Sequence, residues 1–93
     1  MITSIAITGA AWTPITTAGQ AGTMWPHTSD NSKDILLYHT TTGLPDETAI
    51  PKAYHVTLSR SGITPFTPDN ATDVYYARCS NPAGAAVINV DVN

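Results

Sequence analysis

The sequence has few charged residues and a single cysteine. Only 12% of its 93 residues are Asp, Glu, Lys or Arg, about half of the ~25% usual in soluble domains, and residues 2–29 contain none of them. Cys79 has no second cysteine to pair with, which excludes an intrachain disulfide framework and a CxxC metal knuckle. Stability is therefore expected to come from packing and from association with other chains.

The basic residues are too few and too scattered for a nucleic-acid-binding surface. Lys33, Lys52, Arg60 and Arg78 stand among seven acidic residues, so no basic stripe is available to replace counterions on a phosphate backbone. No apolar run approaches the ~20 residues of a membrane span, and the first residues lack the pattern of a secretory signal. We expect neither nucleic acid nor membrane as a partner, and synthesis in the cytoplasm.

The length suits one small domain, residues 1–93, with a thin core. Docking on other subunits would add burial that so short a chain lacks. The uncharged segment 1–29 is the candidate for such contacts, because edge strands of free-standing domains are normally protected by charge or proline. Its strand Ser4–Thr8 has Ile5 and Ile7 on one face, and we predict that it pairs within the sheet or with a neighbouring chain.

Prolines and glycines interrupt the chain too often for ordinary helices. Seven Pro and six Gly are spread along its length, and the stretches between them are rich in Ile, Val, Tyr and Thr, which favour strands. The sequence predicts an all-β fold, a small antiparallel β-sandwich or jelly-roll-like barrel of about six to eight short strands.

Apolar runs and alternation locate individual strands. Residues 35–39 form the strongest apolar run and are predicted as a central strand, whereas Pro65 indicates an edge. Residues 53–59 alternate, with Tyr54, Val56 and Leu58 predicted to point inward.

The last two strands are predicted to form an antiparallel hairpin. Residues 74–78 and 85–92 are both strand-like, and the turn-forming residues 80–84 connect them. In the second of these strands, Ala86, Ile88, Val90 and Val92 are expected to share one face.

The sequence does not predict catalytic or metal-binding residues. No pair among His27, His39 and His55 has HxH or HxxxH spacing, and the acidic residues near them show no ligand pattern, so a surface or hydrogen-bonded role suits each. No Gly-x-Ser-x-Gly elbow is present, and a cysteine beside Arg78 is typical of a small, partly buried side chain. We expect no enzyme activity and no cofactor.

Aromatic residues leave two interpretations open. Tyr75 and Tyr76 are adjacent and must point to opposite faces of their strand, so one of them lies outside the core or at a contact. Exposed Tyr and Trp could form a sugar-binding platform or a subunit contact. The candidate contact residues are Ile5, Ile7, Trp12, Trp25, Leu44, Pro45 and Tyr76.

Several short motifs, in this order, resemble those of small virion proteins of tailed bacteriophages. The motifs are Ala11-Trp12-Thr13, Ile35-Leu36-Leu37-Tyr38-His39, Leu44-Pro45, Asp73-Val74-Tyr75-Tyr76-Ala77-Arg78 and Gly84-Ala85-Ala86-Val87-Ile88-Asn89-Val90. The resemblance extends from Trp12 to Val92, and its most specific element is Val-Tyr-x-Ala-Arg. Residues 19–31 and 40–51 are longer than in the compact members of this group.

The resemblance implies a β-sandwich component of a virion, assembled as homotrimers. A capsid decoration (cement) protein on the capsid exterior, bound to the major capsid protein and to copies of itself, is the first expectation. The alternative is a binding module of a tail, collar or fibre that recognises host glycans. A small hydrolase is the third and weakest.

Overall fold

The computed structural model describes residues 2–27, 33–58 and 63–92, except for the side chain of Lys33. These ranges contain a 3-10 helix at Glu47–Lys52 and the strands β1 (Ile2–Thr8), β2 (Thr13–Pro14), β3 (Gly22–Pro26), β4 (Lys33–Thr40), β5 (Tyr54–Leu58), β6 (Thr64–Phe66), β7 (Val74–Cys79) and β8 (Ala85–Val92). Residues 1, 28 and 29 of the predicted contact segment lie outside the described part. No helix within the described residues is long and apolar enough to cross a membrane.

The strands form two antiparallel four-stranded sheets. The first sheet has the order β1-β8-β3-β6, and the second has the order β2-β7-β4-β5. Alternating side chains from the two inner faces build one core between the sheets, with Ile7, Met24, Ile35, Leu58, Ile88 and Val90 almost fully buried. The prediction of a small all-β sandwich with about six to eight strands is confirmed.

The predicted hairpin between the last two strands is wrong. β7 pairs with β2 and β4 in the second sheet, whereas β8 pairs with β1 and β3 in the first. Residues 80–84 therefore carry the chain from one sheet to the other. Facing sheets are only about 10 Å apart, which a connection of this length can span as readily as it can close a hairpin.

Other strand predictions hold in part. β4 is an inner strand of its sheet and β6 is an edge strand, as predicted from the apolar run and from Pro65. Ala86, Ile88 and Val90 are buried on one face of β8, and Val92 packs against them. Tyr54 shares the inward face with Val56 and Leu58, yet it is 61% exposed, because it lies at the end of β5 beyond the packed core.

A second, smaller cluster covers the outer face of the second sheet. Trp12 and Tyr76 are buried there against Ala49 of the 3-10 helix, and the indole Nε1 of Trp12 donates to the carbonyl oxygen of Asp46 (3.1 Å). The Asp46 carboxylate in turn accepts from the backbone N–H of Thr48 and starts the helix. Tyr75 and Tyr76 point to opposite faces as predicted, but both are buried, one in each cluster.

On the outer face of the first sheet, every side chain that its four strands present is exposed or half-buried except Asn89. Cross-strand register places Ser4, Asn89 and Trp25 side by side on this face, and the hydroxyl of Ser4 donates to Oδ1 of Asn89 (2.7 Å). We call this surface the uncovered face; its members are Ile2, Ser4, Ala6, Thr8, Thr23, Trp25, Pro65, Ala85, Val87, Asn89 and Asp91. Asp91 is the one charged residue among them.

Candidate functional site

A cleft of about 400 Å³ opens between the edge strands β5 and β6, where the inner faces of the two sheets separate. Its aromatic wall consists of His39, Tyr54, Phe66 and Tyr75. Its polar rim includes Thr64, Thr67 and Asp69. None of the described residues that line it is Lys or Arg, so the cleft combines aromatic surface with negative charge.

The aromatic rings form a continuous chain of contacts. The His39 and Tyr54 rings are parallel within 5°, with centroids 6.2 Å apart, and the Tyr75 ring tilts against His39 at 5.1 Å and against Phe66 at 4.9 Å. The position of the Tyr75 ring is fixed by a hydrogen bond, because its hydroxyl donates to the carbonyl oxygen of Thr67. The exposed Tyr54 ring is thus the outermost part of a supported surface.

His39 lies between two carboxylates of different exposure. Its Nδ1 is 3.1 Å from Oδ2 of Asp73, which is buried, and its Nε2 is 3.7 Å from Oδ2 of Asp69, whose side chain is 78% exposed. The same Asp73 oxygen accepts the backbone N–H groups of Asp69 and Asn70, both at 3.1 Å. Asp73 therefore closes the turn before β7 and orients the imidazole at the same time.

These contacts explain the direction of two pKa shifts. Burial raises the pKa of Asp73, but the hydrogen bonds from His39 and from the backbone of Asn70 and Asp69 outweigh it, so the pKa lies below the ordinary value of 3.8. Burial, followed by the charge of Asp69, raises the pKa of Tyr75 above 10.0. At neutral pH, Asp73 is therefore an anion and Tyr75 is a neutral phenol.

Sequence reasoning missed this group of side chains. Among the described residues, one set of three His, Cys, Asp or Glu side chains has its ligand atoms within 4.8 Å of one another, and it consists of His39, Asp69 and Asp73. A surface or hydrogen-bonded role was expected for each histidine: His39 is hydrogen-bonded, and His55 lies exposed on β5. Because Asp69 and Asp73 follow His39 by thirty and thirty-four residues, no local spacing rule could join them.

Three of the predicted contact residues are used inside the domain. Ile7 is buried in the main core, and Trp12 and Tyr76 are buried beneath the 3-10 helix. Ile5 is half-buried and packs on the same main core. The apolar surface of these side chains is mostly covered by the chain itself.

The other predicted contact residues are more accessible. Trp25 is half-buried on the uncovered face, next to Asn89. Leu44 is 69% exposed, and Pro45 is half-buried in the loop before the 3-10 helix. The contact role of the whole set stays a prediction, and these three side chains are the ones with surface available for it.

No protein-family profile matches the chain. Searches of curated proteins and of solved structures also return no significant match.

Proposed function

We propose that the chain is a structural, non-enzymatic protein of a bacteriophage virion, a decoration protein that binds the outside of the capsid and bridges neighbouring capsomers. The observation that supports this most directly is the surface formed by β1 and the uncovered face. β1 is seven residues long, carries no charge, and lies at the edge of its sheet with Ile2 63% exposed. Such an edge is open to pairing with another chain.

Size and charge agree with a contact surface of this kind. A standard protein interface takes about 800 Å² from each partner, which is about a sixth of the 5147 Å² that this chain exposes. Only Asp91 would bring charge into a contact made by the uncovered face, so few charges would lose water on docking. The proposed partners are the major capsid protein and further copies of this chain, arranged as homotrimers.

The first experiment counts copies in purified particles. Quantitative mass spectrometry of the virion should give a ratio to the major capsid protein that fits the capsid lattice, and particles lacking the chain should release their genome at a lower temperature. A count of a few to some tens of copies, or an unchanged release temperature, would contradict the decoration role.

A pair of variants tests the surface itself. Ala6→Lys places a charge in the middle of β1 on the uncovered face, opposite Val87, whereas Ala83→Lys places the same charge on an exposed turn. Added back to particles that lack the chain, the Ala6 variant should bind at least tenfold more weakly than wild type, and the Ala83 variant should bind normally. Equal binding by both variants would show that β1 is not part of the contact.

A second candidate function is glycan recognition by a tail, collar or fibre module. It is favoured by the exposed Tyr54 ring beside the Asp69 carboxylate in the cleft, because sugar rings stack on aromatic faces and their hydroxyl groups donate to carboxylates. Binding of host surface polysaccharide that is lost in Tyr54→Ala, and kept in Trp25→Ala, would select this function over decoration.

A further inference from the structure

The contact with Asp73 determines which nitrogen of the neutral His39 ring carries the hydrogen. Oδ2 of Asp73 already accepts two backbone N–H groups, and a carboxylate oxygen can only accept. The Nδ1 atom of His39, 3.1 Å away, must therefore carry the hydrogen. In the neutral ring this leaves Nε2 without a proton, and its lone pair is available on the side of the cleft.

The Nε2 atom faces a second acceptor. Oδ2 of Asp69 lies 3.7 Å from it, and no Lys or Arg is among the described residues that line the cleft. Two acceptors that face each other repel unless a donor, such as water, or a positive charge lies beside them. Either an added proton on Nε2 or a bound cation would supply that charge.

The separation suits two ligands of one cation. A hydrogen bond between nitrogen and oxygen spans about 2.7–3.2 Å, which is shorter than the observed 3.7 Å. Two ligands of a tetrahedral zinc ion, at bond lengths of about 2.0–2.2 Å, are roughly 3.4 Å apart. A small adjustment of the exposed Asp69 side chain would reach that separation.

We propose that His39 Nε2 and the Asp69 carboxylate bind one divalent transition-metal ion of the zinc type, with Asp73 holding the imidazole in position from behind. A ligating histidine commonly donates its other ring N–H to a carboxylate, and His39 and Asp73 have this arrangement. The mixed nitrogen and oxygen donors disfavour Mg²⁺ and Ca²⁺, which prefer oxygen ligands alone. The site is independent of the decoration role.

Water fills the remaining coordination positions, because the metal would lie at the open mouth of the cleft. The Asp69 side chain is 78% exposed, and nothing in the described chain closes this side. Two protein ligands give weaker binding than the four of a closed structural site, so the affinity should be micromolar rather than nanomolar. Hydroxyl or carboxylate oxygens of a ligand in the cleft could replace the water.

Titration of the purified full chain with zinc chloride alone tests the proposal. Isothermal titration calorimetry should show one equivalent of Zn²⁺ bound. His39→Gln and Asp69→Asn should each weaken binding at least tenfold. His55→Gln, which removes an exposed histidine from the same cleft, is the matched control and should leave binding unchanged.

Three results would overturn the proposal: no saturable binding up to millimolar Zn²⁺, binding unchanged in Asp69→Asn, or equal loss in His55→Gln. Circular dichroism shows whether each variant is folded. If His39→Gln fails to fold, Asp69→Asn still tests the proposal, because the Asp69 side chain is exposed. Nitrogen NMR of the His39 ring gives an independent readout. Added Zn²⁺ should shift Nε2 and leave Nδ1 protonated, whereas a doubly protonated ring insensitive to Zn²⁺ would show that a proton fills the gap instead.

Discussion

The guanidinium carbon of Arg78 lies 5.5 Å from the centre of the Trp12 ring, beneath the 3-10 helix. Arg78 is almost fully buried, donates to the carbonyl oxygen of Gly9 and to Oε1 of Glu47, and so connects the end of β1, strand β7 and the helix. A buried cation held by an aromatic face and by hydrogen bonds fixes the position of the elements around it.

We expect Arg78→Ala to lower the free energy of unfolding by about 2–3 kcal/mol, because charge-assisted hydrogen bonds and packing on Trp12 are lost together. Glu47→Gln is the matched control: Glu47 is mostly exposed, so its removal should cost at most about 1 kcal/mol. Urea unfolding of both variants measures the difference. Equal losses would mean that the Glu47 ion pair, and not the Trp12 and Gly9 contacts, holds Arg78.

Gly9 is predicted to be irreplaceable at the end of β1. A Cβ at this position would overlap the backbone carbonyl of Asn81, and Gly9 N–H donates to the carbonyl oxygen of Gly84 (2.9 Å). Gly9→Ala should therefore destabilise the domain by about 3 kcal/mol. Gly43→Ala, where a Cβ meets open space, should cost about 1 kcal/mol through its positive φ alone. A thermal melt that ranks the two variants the other way would contradict this.

Acid should destabilise the domain through Asp73. Because its pKa in the folded state is below the ordinary 3.8, the unfolded state binds more protons between these two values. The stabilisation is complete above 3.8 and is lost as the pH falls through the lower, folded-state pKa. In Asp73→Asn, this part of the pH dependence should disappear, and stability at neutral pH should be lower than in wild type. Urea unfolding measured across the acid range provides the comparison.

Tyr75 should have the opposite effect in base. Because its pKa in the folded state is raised above the ordinary 10.0, the stabilisation that Tyr75 gives to the folded state is present at pH values below 10.0. It is lost as the pH rises through the folded-state pKa. Tyr75→Phe removes the hydrogen bond to Thr67 and should cost about 1 kcal/mol at neutral pH, while Tyr54→Phe should be close to neutral. Unfolding curves at neutral and alkaline pH test both statements, and a Tyr54 effect as large as that of Tyr75 would refute them.

The sequence predicted those features that depend on local alternation. Ile88 and Val90 could be assigned to one face of their strand because strand side chains alternate with a period of two. The apolar run at residues 35–39 indicated an inner strand, since only a strand with neighbours on both sides buries so much. Pro65 indicated an edge because it cannot donate to a second neighbour.

Pairing and depth could not be predicted in the same way. The segment 80–84 is compatible in length with a hairpin and with a crossing between sheets, and only the packing of β7 between β2 and β4 decides. Tyr54 alternates correctly, but its exposure depends on where the core ends. The approach of Asp69 to His39 also depends on how the strands pack in the folded domain. The candidate site could therefore not be predicted from the sequence.

The position of β8 between β1 and β3 sets an order of events during synthesis. Neither of those earlier strands can pair with β8 until residues 85–92 have left the ribosome. The first sheet therefore cannot form before that stage of synthesis. β1, with its charge-free edge, therefore has no partner within its sheet while residues 9–84 are synthesised, and during that interval it is open to wrong pairings.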